Sequence, residues 1–141
     1  MVTRKTTAIA FIGILITAWL VVFVTQVEAE TTDEQQQALI GEWRGVWPSV
    51  HFQTPATLII HEIDTANAKA RCTYTTSGPG EKKYPVLADF TPGPNLKIEF
   101  KEEGNDYQFV LKKKVLQGTF RGMEGGIYRS LTIKMEKYPK K

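Results

Sequence analysis

The segment Gly41-Glu42-Trp43-Arg44-Gly45-Val46-Trp47 constrains the fold of this chain more than any other part of it. Glycine and tryptophan occupy every second position along the segment. In an extended strand successive side chains point to opposite faces, so these four residues share one face. Glycines beside large rings let a sheet bend tightly, and an indole can plug the end of a closed sheet. The segment therefore predicts the first strand of a small antiparallel β-barrel, and it predicts no activity.

The N-terminus has the features of an export signal. The basic pair Arg4-Lys5 precedes an uncharged run of 17 residues, 8–24, and Val27 and Ala29 follow with the spacing of a small-x-small cleavage site. We expect a signal peptide helix within residues 1–29, cleavage after Ala29, and a secreted or periplasmic bacterial protein. The alternative is a retained membrane anchor formed by residues 8–24, because that run is at the lower limit for spanning about 30 Å of hydrocarbon.

The remainder of the chain predicts a single domain. Residues 30–38 form a polar linker that merges into a helical turn at Ala38-Leu39-Ile40, residues 39–138 form the domain, and residues 139–141 form a basic tail. Eight alternating or β-branched segments, nearly all separated by turn formers, are predicted strands: 41–47, 56–63, 69–75, 84–90, 96–100, 107–111, 115–121 and 127–135.

These segments predict an all-β fold, an eight-stranded antiparallel up-and-down β-barrel. The last strand illustrates the pattern: Leu131, Ile133 and Met135 share one face, whereas Thr132 and Lys134 share the other. This is typical of a sheet that is apolar inside and polar outside. Closure of the sheet removes the exposed edge strands that invite aggregation.

Charge and cysteine content exclude several classes of function. Without the leader, 16 basic and 14 acidic side chains remain, a balance that does not favour nucleic acid as a partner. Contact with a membrane is expected only through the leader, if it stays uncleaved. Cys72 is the one cysteine, so an intrachain disulfide is impossible, and its place in an alternating strand predicts a small apolar filler.

No cofactor, metal or catalytic residue is predicted. His51, His61, Glu62 and Asp64 are the nearest approach to a metal-binding set. In a regular strand, however, His61 and Glu62 face opposite sides, whereas a zinc site needs three ligands that converge. The sequence also lacks a Gly-x-Ser-x-Gly nucleophile motif. An enzyme of unknown reaction stays an alternative that requires Asp106, Glu62 and a histidine around one pocket.

The start of the first strand resembles a known family. Gly41-Glu42-Trp43 is similar to the glycine-x-tryptophan signature of calycins, the lipocalin and avidin-like β-barrels, and the rhythm of residues 39–138 resembles lipocalin-like modules of bacterial secreted proteins, including Leu116-Gln117-Gly118. Asn105-Asp106-Tyr107 resembles a lipocalin turn. The resemblance implies that a basic side chain of the last strand packs across Trp43 and closes the barrel. Arg129 is the residue placed to match it, with Arg121 second.

Aromatic residues give the best indication of function. Most of them must fill the interior, because an eight-stranded barrel is just wide enough for side chains or one small ligand. Near the predicted barrel mouth, Trp47, Phe52, Tyr74 and Tyr84 could stack on a ligand while their polar groups orient it. We expect a non-enzymatic barrel that binds a small apolar or amphipathic molecule. The alternative is an interaction module with a solid core, which recognises a protein or glycan through its outer face.

Overall fold

A computed structural model of the chain describes residues 33–48, 53–77 and 81–139. Within the compact unit Gln35–Lys141, the strands form a closed barrel in which each is hydrogen-bonded to the next and the eighth to the first. All pairs are antiparallel. The predicted eight-stranded up-and-down barrel is thus confirmed, whereas the predicted signal peptide, 1–29, lies outside the described residues.

The strands follow the predicted order and extend beyond most of the predicted ends. They are β1 (Gly41–Pro48), β2 (Gln53–Asp64), β3 (Lys69–Thr76), β4 (Lys82–Thr91), β5 (Lys97–Glu102), β6 (Asn105–Lys112), β7 (Val115–Glu124) and β8 (Ile127–Lys137). A short helix, α1 (33–39), covers most of the predicted linker. None of the helical segments among the described residues has the length and apolar character needed to cross a membrane.

Alternation along each strand builds one core inside the barrel. On β8, Ile133 and Met135 are buried, whereas Thr132 and Lys134 between them are exposed. The other strands repeat this period, as expected for a half-buried antiparallel sheet. The buried hydrophobic side chains form a single cluster. No polar or charged residue among the described ones is fully buried, so the interior is held by apolar packing.

The barrel has a closed end, the base, which is formed around Trp43. The indole is 2% exposed, and its Nε1–H donates to the backbone carbonyl of Leu39 at 2.8 Å. That carbonyl lies at the end of α1, where helix carbonyls need partners from outside the helix. Gly45 lets β8 approach β1 here, because a Cβ atom at this position would lie 2.6 Å from the Lys134 carbonyl oxygen.

The basic residue at the base is Lys137, and the prediction of Arg129 is wrong in its placement. Lys137 pairs with Trp43 in the β1–β8 register, and its Nζ lies 5.7 Å from the centre of the indole ring. Arg129 is eight residues earlier on β8, about 26 Å along the strand. Arg121 pairs with Ser130 on β8 and with Asp106 on β6, so it too lies far from the base.

The barrel wall has a short junction between β4 and β5. Their register consists of three residue pairs, from Thr91↔Lys97 to Asp89↔Glu99, as many as join β1 to β8, although β4 pairs with β3 along eight. Continued in the same register, the next hydrogen-bonded pairs would be Leu87 with Lys101 and Pro85 with residue 103. Beyond the Asp89–Glu99 pair the two strands instead separate. They leave a gap towards the end of the barrel opposite the base.

Pro85 explains why the gap is tolerated. The amide of Phe90 donates to the Ala68 carbonyl on the β3 side at 2.9 Å. Because backbone groups of successive strand residues point to alternate sides, the backbone positions of Pro85 and Leu87 face β5. Proline has no N–H to donate, and it is confined to places where a strand lacks a hydrogen-bonded neighbour. Its missing donor therefore lies within the gap, four residues from Asp89, where the ladder ends.

Truncation of the base indole should unfold the barrel readily. We expect Trp43→Ala to lower the free energy of unfolding by about 3–5 kcal/mol, the usual range for a buried large aromatic, because it leaves a cavity and removes the donor to Leu39. Chemical denaturation would measure this. Val46→Ala, at a position on the same strand that is 45% exposed, is the control and should change little. If Trp43→Ala were as stable as the wild type, the indole would not be the group that closes the barrel.

Restoring a donor at position 85 should narrow the gap. We expect Pro85→Thr to extend the β4–β5 ladder, and therefore to slow hydrogen exchange of the Leu87 and Lys101 amides, read by NMR. Pro55→Thr in β2 is the control, because Pro55 pairs with Val46 and its carbonyl accepts the Ser77 amide, so its substitution should leave both amides unchanged. Equal exchange in wild type and Pro85→Thr would mean that barrel curvature, and not the proline, sets the gap.

Candidate functional site at the barrel mouth

The open end of the barrel, opposite the base, holds a pocket of about 290 Å³, which we call the mouth pocket. It lies where β1, β3, β5 and β7 end and where β2, β4, β6 and β8 begin. Its lining combines aromatic and apolar side chains with hydroxyl, amide and charged groups: Trp47, Thr54, Tyr74, Thr76, Lys82, Tyr84, Glu103, Asn105, Tyr107, Phe120, Met123, Glu124 and Leu131.

A cluster of aromatic rings forms the floor of the mouth pocket. The Tyr107 ring lies 5.0 Å from both Tyr74 and Phe100 and 5.3 Å from Phe120, measured between ring centres. Trp47 contacts Phe120 edge-on at 6.1 Å. These are the separations at which aromatic pairs attract one another. The rings fill the upper interior, so that a ligand in the mouth pocket would rest on the floor and not enter the barrel deeply.

Polar atoms within the floor are paired or held neutral. The indole N–H of Trp47 donates to the Tyr74 hydroxyl at 2.7 Å, which fixes both rings. Burial raises the pKa of Tyr74 above its usual range. Burial, together with Tyr84 and the carboxylate of Glu103, raises the pKa of Tyr107 to about 12. Both phenols therefore stay protonated at physiological pH and can donate hydrogen bonds.

One side of the rim is an ion pair that crosses the gap between β4 and β5. Lys82 Nζ on β4 donates to Glu103 Oε2, in the turn after β5, at 2.7 Å. The hydrogen bond from Lys82, followed by one from the Tyr84 hydroxyl, lowers the pKa of the Glu103 carboxyl. Tyr84 itself has a raised pKa, through desolvation first and its bond to Glu103 second. The three side chains link the two strands where the ladder is missing.

The β7–β8 hairpin supplies the other side of the rim. Glu124 Oε2 and Arg129 Nε lie 3.5 Å apart. This distance is within the range of an ion pair but at the outer limit for a hydrogen bond. Neither atom has a hydrogen-bond partner among the described residues. Asn105 Oδ1 accepts the Met123 amide at 3.1 Å and thereby ties β6 to the hairpin. Arg129, expected at the base, thus belongs to the mouth.

A second cavity, the lateral groove, opens at the gap. Its volume is about 650 Å³, and outward-facing residues of β4 to β7 line most of it. Tyr107 lines both the lateral groove and the mouth pocket, so the two cavities adjoin at this residue. The lateral groove is larger, but charged side chains of both signs supply much of its lining: Asp89, Glu99, Lys101, Glu102, Asp106 and Arg121. The mouth pocket is therefore the better candidate for an amphipathic ligand.

The structure brings together three of the four predicted ligand-binding residues. Trp47, Tyr74 and Tyr84 all line the mouth pocket, whereas Phe52 lies outside the described residues. Lys82 and Glu103 also line the pocket and were not among the predicted residues. A signal for both was present, since in an up-and-down barrel the beginning of the fourth strand and the end of the fifth must lie at the same end.

The residues considered for metal binding are placed differently from the prediction. A β-bulge between Ile60 and Glu62 adds a residue, so His61 and Glu62 are both exposed and do not face opposite sides. His61 contacts the Thr73 hydroxyl at 2.8 Å, and Glu62 pairs with Arg71 at 2.8 Å. Within the described ranges, no group of three or more His, Cys, Asp or Glu residues could hold a metal ion. His51 lies outside those ranges.

Cys72 occupies the core as expected of an apolar filler. Its thiol is 1% exposed, and burial raises its pKa to about 12. A thiol with such a pKa is protonated at physiological pH and therefore a poor nucleophile. Cys72 therefore contributes to core packing and supplies no reactive group to the mouth pocket.

No family model, curated protein or solved structure matches this chain. The fold itself is a closed eight-stranded antiparallel barrel, which is consistent with a lipocalin-like barrel. The glycine-x-tryptophan segment opens β1, as in the family that it resembles, and a basic side chain of β8 lies over the tryptophan. That side chain belongs to Lys137.

Removal of Lys82 should release the carboxyl of Glu103. The lowered pKa of Glu103 arises first from Lys82, so we expect Lys82→Met to raise that pKa towards its ordinary value. A lowered pKa means that the ionised Glu103 carboxyl stabilises the fold. This stabilisation is fully present above the pKa of the carboxyl in the unfolded chain, and it is lost as the pH falls through the lower pKa in the folded protein. Side-chain carboxyl NMR across acid pH would measure the shift. Lys101→Met, which removes a cation paired with Asp106, is the control and should leave Glu103 unchanged.

Proposed function

We propose that this protein is an exported, non-catalytic, lipocalin-like barrel that binds a small amphipathic molecule in the mouth pocket. One observation carries the proposal: three of the aromatic residues chosen from sequence line a single pocket at the open end of the barrel, Tyr84 half-buried at its rim and Trp47 and Tyr74 buried beneath it. Ligand sites in β-barrels are typically at the mouth, and they combine apolar walls with a few placed polar groups.

The dimensions of the pocket limit the ligand to a small molecule. Its volume of about 290 Å³ is at the lower end of the range of about 300–1,000 Å³ that is usual for ligand pockets. The floor of packed rings prevents deep insertion of a long chain. A ligand of one or two rings, held partly within the mouth and partly in solvent, fits these limits best.

The distribution of polar groups supports an amphipathic ligand. Aromatic rings form the floor, whereas hydroxyl, amide and charged groups form the rim, for example Thr54, Thr76 and Asn105. An apolar face of the ligand would pack on the rings, and its polar groups would point to the rim. This arrangement does not require a reactive side chain, which is why we propose binding and not catalysis.

Export and family membership rest on the sequence. The basic pair Arg4-Lys5, the apolar run 8–24 and the cleavage triplet that ends at Ala29 support secretion to the periplasm or beyond. The glycine-x-tryptophan start of β1 and the closed barrel support membership of the calycins. Both features fit a carrier or sensor of a small molecule outside the cytoplasm.

A substitution that fills the mouth pocket should abolish binding. Thr76 points into the pocket, so we expect Thr76→Trp to occupy it and to remove binding of the uncharged amphipathic dye N-phenyl-1-naphthylamine, followed by fluorescence with the full-length chain. Thr75→Trp is the matched control, because the neighbouring side chain points away from the interior. Thr75→Trp adds the same ring outside the pocket. Because both variants keep residues 1–29, dye bound by this segment is the same in both.

Three outcomes are informative. Loss of dye binding in Thr76→Trp alone supports the mouth pocket. Equal binding in both variants would place the dye elsewhere and favour an interaction module with a solid core. Native mass spectrometry of the protein from an exporting host is the complementary measurement, since a retained mass that Thr76→Trp removes would begin to identify the natural ligand.

A further inference from the structure

The charges of the mouth pocket are arranged in compensated pairs. Its lining contains one cation, Lys82, and two carboxylates, Glu103 and Glu124. Lys82 is 2.7 Å from Glu103, and Arg129 is 3.5 Å from Glu124. The two pairs have no net charge and stand on opposite sides of the rim, one at the β4–β5 gap and one on the β7–β8 hairpin.

This arrangement disfavours an anionic ligand. An amphipathic anion, such as a fatty acid, could pair with Lys82 only by displacing Glu103, and it would then lie beside two carboxylates. Like charges in close proximity are repulsive and can cost more than a solvent-exposed ion pair contributes. A cationic ligand gains little, because each carboxylate already has a cation of the protein beside it.

The remaining polar groups are uncharged. Those not already paired with one another or with Glu103 are the hydroxyls of Thr54, Thr76 and Tyr107 and the carboxamide of Asn105, whereas Trp47 donates to Tyr74 and Tyr84 to Glu103. Asn105 uses its oxygen on the Met123 amide, which leaves its NH₂ group to donate. Hydroxyl and amide groups on a ligand match such a set, since they too donate and accept.

We infer that the mouth pocket selects an uncharged ring that bears hydroxyl groups, the chemistry of a sugar. The inference rests on the proposed function and specifies its ligand. One face of such a ring carries C–H groups, which pack on the negatively polarised faces of aromatic rings, and its hydroxyls reach the rim. The sugar could be free or the headgroup of a glycolipid, whose apolar tail would leave the pocket towards solvent.

Binding of four probes of different charge to the full-length chain tests the inference. The probes are methyl β-D-glucoside, octyl β-D-glucoside below its micelle concentration, decanoate and decyltrimethylammonium, each measured by calorimetry at low salt with Thr76→Trp as the blocked reference. We expect one or both glucosides to bind in a manner that Thr76→Trp abolishes, and decanoate to bind at least about tenfold more weakly. A preference for the octyl over the methyl compound would indicate a glycolipid headgroup.

The variant Glu103→Gln examines the electrostatic cause. It leaves Lys82 without its carboxylate, so decanoate should bind about two- to fivefold more tightly, the effect of one exposed charge pair, while glucoside affinity stays within that factor. Glu136→Gln, on β8 near the base, makes the same change in net charge and should alter neither. Tighter binding of decanoate in both variants would show that net charge alone governs its affinity, which would contradict selection by the charged pairs of the rim.

The other outcomes separate the inference from the proposed function. Decanoate binding as tight as that of the glucosides, and blocked by Thr76→Trp, would overturn selection for an uncharged sugar and leave the mouth pocket as a ligand site. The same holds if the dye alone binds there. If neither the dye nor any of the four probes binds in a way that Thr76→Trp affects, the proposed function fails and the inference fails with it.

Discussion

The barrel depends on the contact that the Trp43 indole makes at its base. The indole N–H bonds to the Leu39 carbonyl, while Lys137 lies over the ring and donates to the Ala38 carbonyl at 2.7 Å. One side chain thus joins the helix before β1, β1 itself and the end of β8. Because these elements are the first and last of the domain, the sheet can close only when they meet, and the other seven strand junctions all link neighbours in sequence.

Much of the fold could be predicted because each strand is paired with its neighbours in the chain. Alternation shows which face is buried, and turn formers show where one strand ends and the next begins. Alternation could not show which basic residue of β8 lies over Trp43 at the base. Arg129 and Lys137 lie on the same face of β8, since they are eight positions apart and the side chains of a strand alternate. Which of the two reaches Trp43 depends on the register of β1 with β8, the pair farthest apart in sequence.

The candidate site was only partly predictable, for a related reason. Trp47, Tyr74 and Tyr84 are large aromatics near the ends of strands, which placed them at the mouth. The topology places Lys82 and Glu103 at the same end of the barrel, but no local pattern shows that β4 and β5 part there and leave a gap for the pair to cross. The β-bulge at His61 differs: one extra residue changes the faces of the residues that follow it, and the adjacent polar residues His61 and Glu62 between two isoleucines already interrupt the alternation in the sequence.

The hydrogen bond between Lys137 and Ala38 has a consequence for how the domain can be attached to other molecules. Residues separated by 99 positions are in direct contact, so the chain enters and leaves the barrel side by side at the base. A protein, tag or solid support joined at residue 38 or residue 138 would be attached at the base, at the end of the barrel opposite the mouth. The same proximity makes the domain suitable for circular permutation: a short peptide could connect 138 to 38, and new ends could be opened at a hairpin turn.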